Sequence, residues 1–120
     1  MIKFYEYAKC STCVKAAKFL DKMGVDFKRL PIVDEPPTMT ELKQMLTYLK
    51  QNGGGLRQLF NTSGLVYKEM KLSEKMDQLS EAEGLKLLAA NGKLIKRPFV
   101  LGEGVFLVGF KEDLWKAQFK

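Results

Sequence analysis

The chain has 120 residues, 46% hydrophobic and 28% charged, a balance that fits one folded domain and excludes a disordered chain, a collagen-like repeat and a coiled-coil rod. Lys and Arg number 20 against 14 Asp and Glu, a formal charge of +6, which fits either an anionic partner or a well-solvated lysine-rich exterior. Histidine is absent, so Cys–His and Ser–His nucleophile pairs, imidazole bases and His metal ligands are excluded.

Ile2 to Tyr7 is rich in β-branched and aromatic residues and predicts a strand. The N-terminus has no signal-peptide core and no run of about 18 apolar residues follows, so a cytoplasmic protein without a membrane segment is expected. Cys13, Ala16, Ala17, Leu20 and Met23 recur at helical spacing and make one apolar face. That helix starts at Cys10 or Ser11 and stops at Gly24. Val25 to Ile32 predicts a second strand, ended by Asp34-Glu35-Pro36-Pro37. Strand, helix and strand make a βαβ unit with parallel strands.

Thr38-Met39-Thr40-Glu41 spells a capping box, and Leu42, Met45, Leu46 and Leu49 carry a helix to the break at Asn52-Gly53-Gly54-Gly55. Short helical pieces are expected around Leu56–Phe60, Tyr67–Met70 and Ser73–Met76. Ser80-Glu81-Ala82-Glu83 is a second capping box, heading a helix that ends at Asn91-Gly92. Phe99-Val100-Leu101 and Val105 to Val108 read as a hairpin around Gly102-Glu103-Gly104. Lys111 to Phe119 reads as a closing helix, with Leu114, Trp115 and Phe119 packing inward. The expectation is one α/β domain over residues 1–120: βαβ, a helical insertion at about 36–94, then ββα.

Both cysteines fall in one C-x-x-C at the first strand–helix junction, Cys10-Ser11-Thr12-Cys13. At that spacing the sulfurs stand one helical turn apart, within disulfide reach. Cys10 precedes the first turn, where backbone N–H groups lack partners and the macrodipole is positive. Both effects favour thiolate and predict a pKa below the free value of about 8.5. Lys9 and Lys15 add a small push. Cys13 lies on the apolar face and is expected to be buried and slower to ionise. The pair therefore reads as attacking Cys10 and resolving Cys13, with two inert core cysteines as the alternative. A zinc site would need further ligands that the chain does not supply, so no metal and no bound cofactor are expected.

Four stretches stand in a telling order: Cys10-Ser11-Thr12-Cys13; Gly55-Leu56-Arg57-Gln58-Leu59-Phe60-Asn61-Thr62-Ser63-Gly64; Ile95-Lys96-Arg97-Pro98-Phe99-Val100; and Val108-Gly109-Phe110-Lys111-Glu112-Asp113. Together they resemble the thioredoxin superfamily, and within it the group of glutaredoxin-linked arsenate reductases (ArsC) and Spx/MgsR-type regulators. The resemblance implies a thioredoxin-like fold with a four-stranded mixed sheet. It also implies a cis peptide before Pro98, whose loop lies beside the cysteine loop and shapes the substrate surface. In the reductases a cysteine at the place of Cys10 attacks the oxyanion and arginines hold its oxygens. Arg57 and Arg97 match two of those arginines. With the helix start at Ser11 and Thr12 they would cradle an anion around Cys10.

The substrate so implied is a small oxyanion or a thiol/disulfide. The implied electron donor is glutathione or another external thiol, with glutaredoxin or thioredoxin as partner. Two departures stand out: Gly109-Phe110 where a further arginine is expected, and Cys13 where the reductases commonly have Ser. They point to an internal Cys10–Cys13 disulfide as the oxidised state. The Spx side implies instead a redox-switched regulator that binds the C-terminal domain of the RNA polymerase α subunit, with Asn52–Gly55 near the contact. Against it, the sequence reads to Lys120 without a basic C-terminal extension. Direct nucleic-acid binding is not expected, because the lysines are scattered rather than gathered in a stripe.

Overall fold

In the computed structural model, which describes residues 1–119, β1 (Ile2–Glu6) lies between two partners. It runs parallel to β2 (Phe27–Pro31), with Ile2 opposite Phe27, and antiparallel to β3 (Phe99–Gly102), with Phe4 opposite Val100. β4 (Val105–Val108) pairs antiparallel with β3, giving a mixed sheet of order β2-β1-β3-β4. α1 (Ser11–Lys22) joins β1 to β2, and α6 (Glu112–Gln118) follows the β3–β4 hairpin. Between β2 and β3 come α2 (Met39–Gln51), α3 (Leu65–Glu69), α4 (Leu72–Lys75) and α5 (Glu81–Ala90). Tight 3-10 turns occur at Leu56–Leu59, Met76–Gln78 and Gly92–Leu94. This is the α/β order that the residue patterns predict, in the thioredoxin-like architecture that the resemblance implies.

The two-residue period of a strand sorts its side chains onto two faces. Ile2, Phe4, Val100, Val105 and Leu107 pack with Ala16, Ala17, Leu20 and Trp115, against α1 and α6. Tyr5, Phe99 and Leu101 turn the other way and pack with Leu42, Met45, Leu59, Phe60 and Leu88 from the helical stretch. Full burial of each large apolar side chain contributes roughly 1.5–3 kcal/mol, so both helical layers are tied to the sheet by many small contributions.

Both capping boxes form. Ser80 Oγ accepts the Glu83 N–H and Glu83 Oε1 accepts the Ser80 N–H, each at 3.1 Å. At α2 the Thr38 and Glu41 bonds are 3.1 and 3.0 Å. Glu41 has two further partners. Lys3 and Tyr5 share one face of β1, and both reach it: the Tyr5 hydroxyl donates to Oε1 at 2.7 Å and Lys3 Nζ to Oε2 at 2.9 Å. Burial works against the Glu41 charge, but the Thr38 N–H, Lys3 and Tyr5 outweigh it and hold the carboxyl below the usual range. Burial first, then Glu41, pushes the Tyr5 hydroxyl up.

Several placements differ from the sequence reading. Leu114, expected inward, is 57% exposed, because its neighbour Trp115 takes the core position on the short α6 and is 1% exposed. Met23 is 40% exposed, since α1 stops at Lys22 and the chain turns out through Gly24 at φ +71°. β2 is shorter than predicted; Val25 belongs to the turn, its N–H bonded to the Leu20 carbonyl at 3.0 Å. The Gly92–Leu94 turn, read only as a helix stop, packs on the end of β2. Glycine is required there, because a Cβ on Gly92 would fall on the Ile32 carbonyl oxygen.

Candidate active site

The cysteine loop begins where β1 ends. Tyr7 turns the chain, its carbonyl accepting the Cys10 N–H at 3.0 Å, and α1 starts at Ser11. Cys10 is the N-cap of α1: its Sγ accepts the Cys13 N–H at 3.4 Å. The first turn of α1 holds no acidic residue, so no carboxylate competes with the sulfur for the helix's N-terminal partial charge. Both cysteines are free thiols, 3.3 Å apart, with Cys10 half-buried and Cys13 buried. Ser11 is exposed and Thr12 half-buried in the same turn.

The two sulfurs are electrically unlike, as the sequence predicts. Burial opposes ionisation of Cys10, but the Cys13 and Thr12 N–H groups, the Cys13 thiol and the charge of Arg97 together hold it below its ordinary value. Cys13 is pushed up to about 12, by burial first; the Tyr7 backbone works against the rise, and Cys10 and Glu6 add to it. Cys10 is therefore the sulfur that ionises more readily, and Cys13 is a protonated thiol beside it.

The second wall of the site comes from far along the chain. Because Tyr5 pairs with Phe99, the Arg97-Pro98 loop stands at the same end of the sheet as the cysteine loop. The Arg97–Pro98 peptide is cis, as the resemblance implies. Pro98 is buried, and its carbonyl accepts the Gly109 N–H at 2.9 Å, while Gly109 O accepts the Trp115 indole N–H at 3.1 Å. The core tryptophan thus steadies the proline loop through one intervening residue. Arg97 is half-buried; its guanidinium carbon lies 4.6 Å from the centroid of the Tyr7 ring, and Nη1 donates to the Lys93 carbonyl at 3.3 Å. A cleft of about 580 Å³ opens beside it, lined among others by Tyr7, Asn61, Ser63, Lys93 and Arg97.

Arg57 is exposed in the 3-10 turn Leu56–Leu59. That turn leads into the Phe60–Ile95 bridge, and the Leu59 carbonyl accepts the Lys96 N–H at 2.8 Å. The backbones carrying Arg57 and Arg97 are therefore neighbours. No hydrogen bond or ion pair among the described residues joins the Arg57 side chain to the cysteine loop. Cys10, Cys13, Thr12, Arg97 and the Pro98 loop stand at one end of the sheet, and Arg57 stands at the margin. Tyr7 was not among the residues the sequence singled out; an aromatic three places before the first cysteine was its only signal. Among the described residues, no three or more of Cys, Asp and Glu gather to hold a metal ion, and no helix is long and apolar enough to cross a membrane.

Arg97→Ala is expected to raise the Cys10 pKa. Less thiolate then remains at neutral pH, and alkylation of Cys10 by iodoacetamide slows about threefold. A rate profile against pH checks both the sign and the size.

Comparison with known proteins places the chain among relatives of the same family and fold. The chain is 44% identical over 112 residues to the uncharacterised protein YusI of Bacillus subtilis, covering 93% of this chain and 92% of YusI. It is 30% identical over 117 residues to the global transcriptional regulator Spx of Streptococcus agalactiae, covering 98% of this chain and 82% of Spx. The crystal structure of an ArsC-family-related protein from Bacteroides fragilis superposes with a TM-score of 0.90 at 44% identity, over 99% of this chain and 97% of that one. The model of the ArsC family matches residues 5–118, and the chain belongs to that family.

Proposed function

We propose that the protein is a thiol-dependent oxidoreductase of the arsenate reductase-like kind, with Cys10 as nucleophile. The observation that carries this reading is the state of one sulfur: Cys10 caps a helix, has its thiol pKa lowered, and lies 3.3 Å from a protonated second thiol. With a disulfide substrate, the Cys10 thiolate attacks one sulfur, the S–S bond breaks, and the other sulfur leaves as a thiolate that takes up a proton. Cys13 gives up its proton and attacks Cys10 Sγ, and the second substrate thiol departs. The substrate has gained two electrons, and the chain holds a Cys10–Cys13 disulfide. An external thiol such as glutathione, or a glutaredoxin or thioredoxin, reduces it again.

Arsenate fits the same site. Cys10 attacks the arsenic and displaces an oxygen as water. A second thiol, from Cys13 or the donor, then attacks Cys10 Sγ; the As–S bond breaks with both electrons going to arsenic, leaving arsenite and a disulfide. Arg97, Arg57 and the N–H groups of Ser11 and Thr12 hold the oxyanion, and the Pro98 loop shapes the surface around it. We place the protein in the cytoplasm, where such a pair is kept reduced between turnovers. The test is NADPH consumption by the reduced protein with arsenate, glutathione, glutaredoxin and glutathione reductase. Turnover that needs both protein and arsenate is expected. Exchange with a model disulfide alone restricts the substrate to disulfides, and activity in neither assay overturns the reading.

A second reading is favoured by the identity to Spx over 98% of this chain. Here the Cys10–Cys13 disulfide alters a surface, near Asn52–Gly55, that binds the C-terminal domain of the RNA polymerase α subunit. Redox-dependent capture of that domain, without turnover, selects this reading.

A further inference from the structure

Arg97 lines the cleft beside Tyr7. Glu69 lines the same cleft, yet no ion pair joins it to Arg97 among the described residues. The guanidinium instead lies over the Tyr7 ring, 4.6 Å from its centroid, with one N–H edge on the Lys93 carbonyl. Tyr7 is also the residue that sets the cysteine loop, through its carbonyl bond to the Cys10 N–H. We propose that Tyr7 is a positioning residue, whose ring holds the Arg97 guanidinium at the end of the sheet where the cysteine loop lies, while leaving its charge unneutralised and its remaining N–H donors open to an anionic substrate.

The physical case rests on what each kind of partner does to an arginine. A free Arg side chain spreads over many rotamers, and its field at a fixed sulfur falls with distance and is screened by water and salt. A carboxylate would fix the side chain but cancel its charge and occupy its donor fork. An aromatic face attracts the cation without doing either. The other ionisable groups near the cysteine pair are few. Glu6, at the end of β1, is already paired with Arg29 at 3.4 Å. Cys13 stays protonated on α1, Lys9 adjoins Cys10 in its own loop, and Lys93 and Glu69 line the cleft. The Cys13 and Thr12 N–H groups and the Cys13 thiol favour the Cys10 anion most, and the Arg97 charge adds a smaller push in the same direction.

The proposal rests on the reading of Cys10 as nucleophile. Its test reads ionisation rather than turnover, so its failure and a failed arsenate assay are separate results. The rate of Cys10 alkylation by iodoacetamide, with the adduct located by mass spectrometry, is followed against pH. The proteins are wild type, Tyr7→Leu, Tyr7→Phe, Arg97→Ala and the Tyr7→Leu/Arg97→Ala double variant. Tyr7→Leu is expected to slow alkylation at neutral pH about threefold, as Arg97→Ala does. Tyr7→Phe, which keeps the ring, restores most of the rate, and the double variant is no slower than Arg97→Ala alone. An unchanged profile in Tyr7→Leu, an equal further loss in the Arg97→Ala background, or a loss in Tyr7→Phe as large as in Tyr7→Leu overturns the proposal. Tyr7→Met, an unbranched apolar replacement, carries the same comparison if the leucine variant melts early.

Discussion

Cys10→Ser is expected to bring thiol-linked turnover to background, a loss of about a thousandfold or more. The exchange is nearly isosteric, so the helix cap survives: a serine oxygen at position 10 accepts the Cys13 N–H as readily as sulfur does. What disappears is the nucleophile, because an alcohol does not ionise near neutral pH and the same N–H groups and Arg97 cannot make it do so. Circular dichroism and thermal melting should therefore match wild type while activity is gone. Cys13→Ser separates two routes. If Cys13 resolves the first adduct, the variant accumulates a mixed disulfide on Cys10, visible as added mass. If an external thiol resolves it, the variant continues to turn over. A Cys10→Ser protein with wild-type activity would end the nucleophile reading.

Glu41→Ala carries the largest expected cost in stability. The carboxylate is 8% exposed and serves three donors from two elements: the Thr38 N–H, the Tyr5 hydroxyl and Lys3. Removing it takes away the carboxylate half of the α2 capping box, while Thr38 Oγ1 still accepts the residue-41 N–H, and leaves the buried Tyr5 hydroxyl without an acceptor. Together these should cost about 2–5 kcal/mol in urea unfolding at pH 7. Glu41→Gln keeps the shape and one acceptor but loses the charge and sets an amide N–H₂ against Lys3, for about 1–3 kcal/mol. The pH dependence follows from the lowered Glu41 pKa. A carboxyl that ionises more easily folded than unfolded adds stability that is complete above the unfolded value of about 4.3 and is lost as pH falls through the lower folded value. The gap between wild type and Glu41→Gln should accordingly narrow below about pH 4. A gap that stays constant into acid would show that the charge of Glu41 contributes nothing.

Much of this was legible because it is local. The β1–α1–β2 unit follows from a strand-like opening and a three-to-four-residue apolar period. The unequal cysteines follow from which of them precedes the first helical turn. The capping boxes at Thr38 and Ser80 are four-residue signals and form as spelled. What the sequence hides is the meeting of distant residues. Lys3 and Tyr5 reach Glu41 only because β1 and α2 pack face to face, and Tyr7 meets Arg97 only because β3 returns antiparallel to β1. Leu114 and Trp115 are adjacent and both apolar. Which of them enters the core depends on the rotation of α6, set by the Trp115 bond to Gly109 and the rings of Phe19 and Phe110.

The charge on Cys10 also acts as a brake on its neighbour. While that sulfur is an anion, it accepts the bond from the Cys13 thiol and repels any second negative charge, and both effects help keep Cys13 protonated. Once Cys10 bonds to a ligand, its charge is gone and both restraints vanish together. On the proposed mechanism, the buried thiol then becomes easier to ionise at the moment when the atom it would attack has become electrophilic. Under that proposal the pair sets its own order of events: the second sulfur waits for the first, in a chain with no histidine to keep time for it.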